Sequence, residues 1–201
     1  MLILGLVTMG PSFATDIHDC WKTPIGNFEI DRELLSVANI PEHEPAHKLE
    51  HSAEVMLPFL RYYLPYELKI LPISIMKQTP EVARELAGYL DDAVKKTGRK
   101  ILVIASSDFC HYLSPDAGYK LDSEVIESIE SMRSDQVYHK IIEKNITVCG
   151  YGPIMTLMEY SLLRHKNVQV KVLARGNSAK SKSMDRVVDY VTMLFYLGKD
   201  L

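Results

Sequence analysis

The chain has 201 residues, 47% of them apolar and 24% charged, which suits one globular domain. Its net charge is -3 and no dense Lys/Arg stripe occurs, which argues against nucleic acid as a partner. No run approaches the roughly 18 apolar residues of a membrane span, so no membrane association is expected. Three cysteines, Cys20, Cys110 and Cys149, form no regular framework and point to a reducing compartment. The apolar stretch Met1–Val7 has no basic lead-in and no clear cleavage site. A cytoplasmic protein is expected.

In chain order, Leu2-Ile3-Leu4 reads as a buried strand running into Gly5. Phe13–Ile17 and Asn27–Ile30 read as strands around a turn at Thr23-Pro24-Ile25-Gly26, and Asp31 caps a short helix to about Val37. Residues 39–48 read as a polar loop. His43 and His47 lie four apart within it, but Pro45 between them argues against a helix. A helix is predicted from Leu49 to Tyr63, bent near Pro58 and closed by Pro65. Leu68–Ile75 is a strand, and Thr79-Pro80 starts a helix ending near Thr97-Gly98. Ile101–Ala105 is expected to be the central strand. Helices follow over about Pro115–Met132, Asp135–Lys144 and Gly152–Arg164, and Val168–Ala174 and Val187–Leu197 read as closing strands. The alternation predicts a single α/β domain, with a mixed, mostly parallel central sheet and helices on both faces.

Three polar clusters sit at the edges of apolar elements. Ser106-Ser107-Asp108-Phe109-Cys110-His111 follows Ile101–Ala105. Open α/β sheets bind ligands at the carboxyl ends of their strands, which places Asp108 and His111 at the lip of a crevice. An Asp three residues from a His can orient the imidazole and raise its basicity; the plain alternative is a capping Asp and a satisfied polar His. Cys110, between them, is expected to point inward. In the second cluster, Glu50 and Glu54 lie one predicted helical turn apart with His51 beside them. An acidic first turn explains the carboxylates by the helix dipole but leaves His51 unexplained. In the third, Cys149 precedes Gly150-Tyr151-Gly152-Pro153, a turn into a helix. A helix N-terminus favours a thiolate, able to act as nucleophile or soft metal ligand, and the glycines allow close approach of a ligand. Most free cysteines are simply small buried hydrophobes. Asp16, His18, Cys20 and Trp21 cluster in the excursion after the first strand, and Trp21 is expected to wall the pocket. His139 and His165 are expected at the surface.

Glu50-His51-Ser52-Ala53-Glu54 with Leu57-Pro58-Phe59-Leu60, then Ser106-Ser107-Asp108-Phe109-Cys110-His111-Tyr112, then Cys149-Gly150-Tyr151-Gly152-Pro153-Ile154 resemble the Memo family. Trp21-Lys22-Thr23-Pro24-Ile25-Gly26 fits a further segment of that family. The resemblance implies a domain built like class III extradiol dioxygenases of the LigB type, which use non-haem iron. For the family it implies a site of two histidines and a cysteine, copper or iron redox chemistry, or phosphopeptide recognition. The resemblance also implies an extra strand and helix at the start, carrying a His-Ala-Gly segment that is absent here. A second family histidine falls where this chain has Thr8 or Met9, leaving Cys149 as the sole matching metal ligand. A shortened family domain, or a start set too late, is expected.

The leading expectation is a Memo-like protein with a degenerate metal site and a binding or regulatory role. No cofactor is expected, although iron or copper would return if the site were restored. The pocket would comprise His51, Asp108, His111 and Cys149, with Glu50, Glu54, Gly150 and Gly152 contacting a small molecule or peptide, and the chain could self-associate. Two alternatives compete: a metal-dependent oxidoreductase recruiting His51, His111 and Cys149, and a hydrolase with Cys149 as nucleophile and His111 as base.

Overall fold

A computed structural model describes residues 1–6, 10–48, 50–64, 66–180 and 184–198. Strands β1 (Leu2–Leu6), β2 (Phe13–Thr15), β3 (Cys20–Thr23), β4 (Gly26–Ile30), β5 (Lys69–Ile75) and β6 (Val103–Ala105) form one mixed sheet. Its path is β3-β4-β5-β1-β6, with β2 on the β4 side of β5. The pairs β4–β5, β5–β1 and β1–β6 are parallel; β2–β5 and β3–β4 are antiparallel. The fold is α/β with a mostly parallel central sheet, as the alternation of elements predicts.

β5 is buried from Ile70 to Ile75, side chains of both faces included. That is the signature of a strand with both sheet faces covered, and it explains why its sequence is nearly continuous in apolar residues. The helices are α1 (Arg32–Ala38), α2 (Pro45–Lys48), α3 (Leu57–Tyr63), α4 (Pro80–Thr97), α5 (Pro115–Glu130), α6 (Ser134–Lys144) and α7 (Tyr151–Arg164). Asp31 accepts from Leu34 N–H at 3.1 Å and starts α1. Thr79 caps α4 with Pro80 at its first position, and Gly98 ends it at φ +65°. One apolar cluster joins Leu4, Ile73, Leu34, Leu86 and Leu90; a second joins Phe109, Val125, Ile129, Met155 and Met158. α4 contributes to both, through Leu86 and Ala83.

Four sequence expectations need correction. Ile101–Ala105 is not central: β6 is the last strand of the sheet, and β5 and β1 hold the middle. Its apolar run arises because one edge pairs with β1 and the other faces a cavity, and Leu102 is 57% exposed. The predicted closing strands do not complete this sheet. β8 (Val168–Asn177) and β9 (Val187–Leu197) form a long hairpin that makes a separate antiparallel sheet with β7 (His111–Leu113), in the order β7-β9-β8. No single helix runs from Leu49 to Tyr63: residues 50–53 are turn, a 3₁₀ segment covers Glu54–Met56, and Pro58 lies in the first turn of α3 instead of bending it. Leu49 and Pro65 themselves lie outside the described residues. Finally, Pro45 opens α2, a position where its missing N–H costs nothing, so His47 is helical and buried.

Candidate functional site

The carboxyl ends of β1, β5 and β6 lie side by side, and β6 runs directly into the polar residues Ser106-Ser107-Asp108. Beyond β6, the turn Ser106–His111 meets the turn Thr147–Gly150 through a set of reciprocal hydrogen bonds. Cys149 N–H donates to Asp108 O at 3.3 Å, and Asp108 N–H donates to Cys149 Sγ at 3.2 Å. Gly150 N–H donates to Ser107 Oγ at 2.8 Å, and His111 N–H to Thr147 Oγ1 at 2.7 Å. His111 Nδ1 lies 2.7 Å from Thr147 O. A carbonyl oxygen only accepts, so Nδ1 carries a proton, and in the neutral ring Nε2 presents a lone pair. Nε2 stands 3.9 Å from Asp108 Oδ2, beyond a hydrogen bond but close enough for one donor group, set to the side of the line joining them, to reach both.

Asp108, His111, Cys149 and Gly150 therefore come together although 41 residues separate Asp108 from Cys149. Glycine at 150 is required by contact: a Cβ there would sit 2.6 Å from Ser106 O and 2.7 Å from Ser107 Cβ. Gly152 is equally constrained, its would-be Cβ meeting Gln78 Cγ at 2.9 Å. Gln78 itself was not singled out from sequence. It follows β5, donates through Nε2 to Cys149 O at 2.9 Å and accepts from Gly152 N–H at 2.6 Å, locking the start of α7 to the sheet end. A polar residue between a buried strand and a capped helix is common, and nothing local to Gln78 points to partners more than 70 residues away.

Glu50 takes a different place. Its carboxylate accepts the backbone N–H groups of Ser52 and, at 3.5 Å, Ala53, closing the turn before the 3₁₀ segment. It packs against Gly5 on β1, where a Cβ would come within 3.3 Å of Oε2. β1 neighbours β6, so Glu50 lies at the same sheet end as Ser106 but makes no hydrogen bond to the Asp108–Cys149 group. His51 is exposed, as is Glu54. Thr8 and Met9 lie outside the described residues.

Cys110 points inward as expected. It is fully buried, and burial, with the Asp122 carboxylate hydrogen-bonded to it, pushes its thiol up to about 12. Asp122 and Asp189 form a buried acidic pair behind it; neither Oδ2 has a hydrogen-bond donor, and Arg175 Nη2 stands 4.0 Å from Asp122 Oδ2. Burial and the neighbouring Asp122 charge push the Asp189 carboxyl up to about 6. The backbone of Asp189 bonds Phe109 and Cys110, so this pair lies directly behind the Ser106–His111 turn.

The Asp16 cluster is a separate network. Trp21 Nε1 donates to Asp16 Oδ2 at 2.6 Å and His18 Nδ1 lies 3.0 Å from Asp16 Oδ1. The Asp16 hydrogen bond holds His18 above the usual imidazole range. His47 is buried against Ser74 Oγ and Ala14 O, and burial lowers its basicity. His139 and His165 are exposed.

Among the described residues, no three His, Cys, Asp or Glu side chains stand close enough to share a metal ion. Non-haem iron needs two histidines and an anionic ligand with open positions. No described helix is long and apolar enough to cross a membrane.

The profile of the Memo family, described as Memo-like protein, matches residues 3–194. A MEMO1 family protein of Methanosarcina mazei is 37% identical over 181 residues, covering 88% of this chain and 67% of the relative. One from Desulfurococcus amylolyticus is 41% identical over 183 residues, covering 88% and 64%. One from Archaeoglobus fulgidus is 39% identical over 181 residues, covering 88% and 68%. The chain thus spans about two thirds of the length of these relatives.

Proposed function

This chain belongs to the Memo family, and from that premise we propose that residues 1–201 act as a binding domain with a degenerate metal site. The ligand is a small molecule or peptide that places a hydrogen-bond donor between His111 Nε2 and the Asp108 carboxylate. The observation that carries this reading is the pairing of the two turns. Their backbone bonds preset an imidazole lone pair and a carboxylate oxygen 3.9 Å apart, at the carboxyl end of a sheet strand. Two acceptors at that separation suit an amine, guanidinium or amide group, and preorganisation lowers the ordering cost of binding.

The oxidoreductase alternative needs more donors than stand together here. The hydrolase alternative needs a base on the thiol, yet Cys149 Sγ has Asp108 N–H, Asp108 O and Ser107 Oγ as its neighbours, with His111 hydrogen-bonded elsewhere.

The test has two arms. Calorimetric addition of Fe(II), Cu(I) and Zn(II) to chelator-treated protein is expected to give no stoichiometric uptake. A fragment screen read on the His111 ring resonances is expected to select amine and guanidinium fragments, with the response lost in Asp108→Asn. Tight one-to-one metal uptake that disappears in Cys149→Ser would put the oxidoreductase reading first. Fragments that ignore His111 would end the binding proposal.

A further inference from the structure

Behind the Ser106–His111 turn, Asp122 on α5 and Asp189 on β9 meet in the interior, 1% and 6% exposed. Both hold the turn. Asp122 Oδ1 accepts Cys110 N–H at 3.0 Å, Asp189 N–H donates to Cys110 O at 2.9 Å, and Asp189 O accepts Phe109 N–H at 2.9 Å. The two carboxyl groups lie within hydrogen-bonding reach of each other, yet neither Oδ2 has a donor. A buried acceptor without a donor is costly, and here two such atoms belong to one contact.

The charges around the pair decide how many protons suit it. From β8, Arg175 stands with Nη2 4.0 Å from Asp122 Oδ2. Its guanidinium is anchored, donating to Ser123 Oγ and to Tyr119 O at 2.9 Å each and lying over the Tyr119 ring at 3.6 Å. It balances one carboxylate. His111 and the Cys110 thiol face the pair from the turn, and Tyr119 and Tyr190 line the space beside it. With one proton on the pair, Asp122, Asp189 and Arg175 sum to zero; with none, an uncompensated negative charge stays buried. One O–H shared between the Oδ2 atoms also gives each of them a partner, one as donor and the other as acceptor.

Asp189 has somewhere to go when that proton leaves. Its Oδ2 packs against Gly118 of α5, where a Cβ would overlap it. A cavity of about 220 Å³ borders the pair, lined by both acids and by Arg175, Asn177 and Tyr190. It offers the Asp189 carboxylate a place beside the guanidinium and away from Asp122. Asp122 has no such freedom, because Cys110 N–H holds its Oδ1. The element that the two acids grip is yielding. β7 pairs with β9 irregularly between His111 and Leu113, and Tyr112 between them sits at φ +60°.

We infer that Asp122 and Asp189 form a proton-sensing pair: one shared proton holds α5, β9 and the Ser106–His111 turn together, and its loss to solvent swings the Asp189 carboxylate into the cavity and loosens that turn. Asp189 gives up the proton, since the Cys110 N–H bond favours the charged form of Asp122. Burial and the Asp122 charge push the Asp189 carboxyl up to about 6, so the shared state is filled below that pH and empties above it. The pair acts on the back of the turn, so this inference stands whether or not a ligand binds between His111 and Asp108.

The test follows the 201-residue chain by nuclear magnetic resonance from about pH 4.5 to about pH 8. The side-chain carboxyl carbons of Asp122 and Asp189 are expected to titrate together near pH 6, and the Phe109 and Cys110 amides to move with the same midpoint. The proton contact between Asp189 Hβ and Gly118 Hα is expected to weaken about twofold or more across that midpoint. Asp189→Asn, neutral at every pH, is expected to fix both amides in their low-pH positions while the His111 ring still titrates. Gly118→Ala sets a Cβ on Asp189 Oδ2 and forces that side chain out. Its Phe109 and Cys110 amides should take at about pH 5 the positions that the unaltered chain reaches only near pH 7.5, with the Asp189 midpoint about one unit lower or more. Should either variant fail to fold, the titration of the unaltered chain decides alone. Both carboxyls titrating below about pH 4.5, within the ordinary carboxylate range, overturn the inference. Carboxyls that titrate near pH 6 while Phe109 and Cys110 stay still overturn it as well. So do amide shifts that persist in Asp189→Asn, which would assign them to His111.

Discussion

At the scale of single residues, the site depends on what glycine and hydrogen bonding permit at the Ser107–Gly150 contact. Cys149 and Cys110 make the contrast plain. Cys149 is half-buried, with a backbone N–H aimed at its sulfur. Cys110 is fully buried and its thiol is pushed up to about 12. Alkylation proceeds through the thiolate. Iodoacetamide mapped by mass spectrometry near pH 7.5 is therefore expected to modify Cys149 at least a hundredfold faster than Cys110. Gly150→Ala forces a Cβ into Ser106 and Ser107, and it is expected to separate the two turns and narrow that ratio severalfold. Equal rates at both cysteines in the unaltered protein would return Cys149 to the class of plain buried thiols.

At the scale of elements, the contact between α5 and β9 carries the buried pair Asp122 and Asp189. Facing Asp189 are Asp122, Arg175, His111 and the Cys110 thiol. Its carboxyl is raised to about 6 in the fold, above the unfolded value near 3.9. Between those values the native state holds more protons than the unfolded chain, so stability falls as pH rises from about 4 to about 6, and this part of it stays lost above that. Asp189→Asn removes the charge and offers an N–H to the Asp122 carboxylate, whose Oδ2 has no hydrogen-bond donor. Denaturant titrations should find it more stable than the parent by about 1–2 kcal/mol at pH 7.5, with the gain shrinking towards zero at pH 4. A gain independent of pH would mean that packing, and not ionisation, is responsible.

At the scale of the whole molecule, α4 ties the two apolar clusters together, Leu86 and Leu90 in one and Ala83 in the other. Residues so joined are expected to unfold together. Leu86→Ala in the first cluster and Met158→Ala in the second should each cost about 2–5 kcal/mol and shift one urea transition without splitting it. Two separate transitions, each moved by only one of the substitutions, would divide the chain into independent units.

The local sequence determined a good deal by itself. Asp31 and Thr79 carry side-chain acceptors just ahead of an apolar helical period, and Gly98 supplies the left-handed stop, so α1 and α4 were legible from a few neighbouring residues. The same holds for Asp108 and His111, set just beyond an apolar run, and for Gly150 and Gly152 after Cys149. The tertiary structure alone decided the order of strands. Apolar content reports that Val103–Ala105 avoids water, but both a sheet neighbour and an apolar cavity provide that, and only pairing distinguishes an edge from a centre. It also decided the fate of the Glu50 turn, where two backbone N–H groups reach the carboxylate and win over the helical register that Glu50 and Glu54 suggested. Gln78 and Asp189 were silent for the same reason. Each acts on partners many residues away, Gln78 on Cys149 and Gly152 and Asp189 on Phe109 and Cys110, and such contacts exist only once the chain has closed on itself.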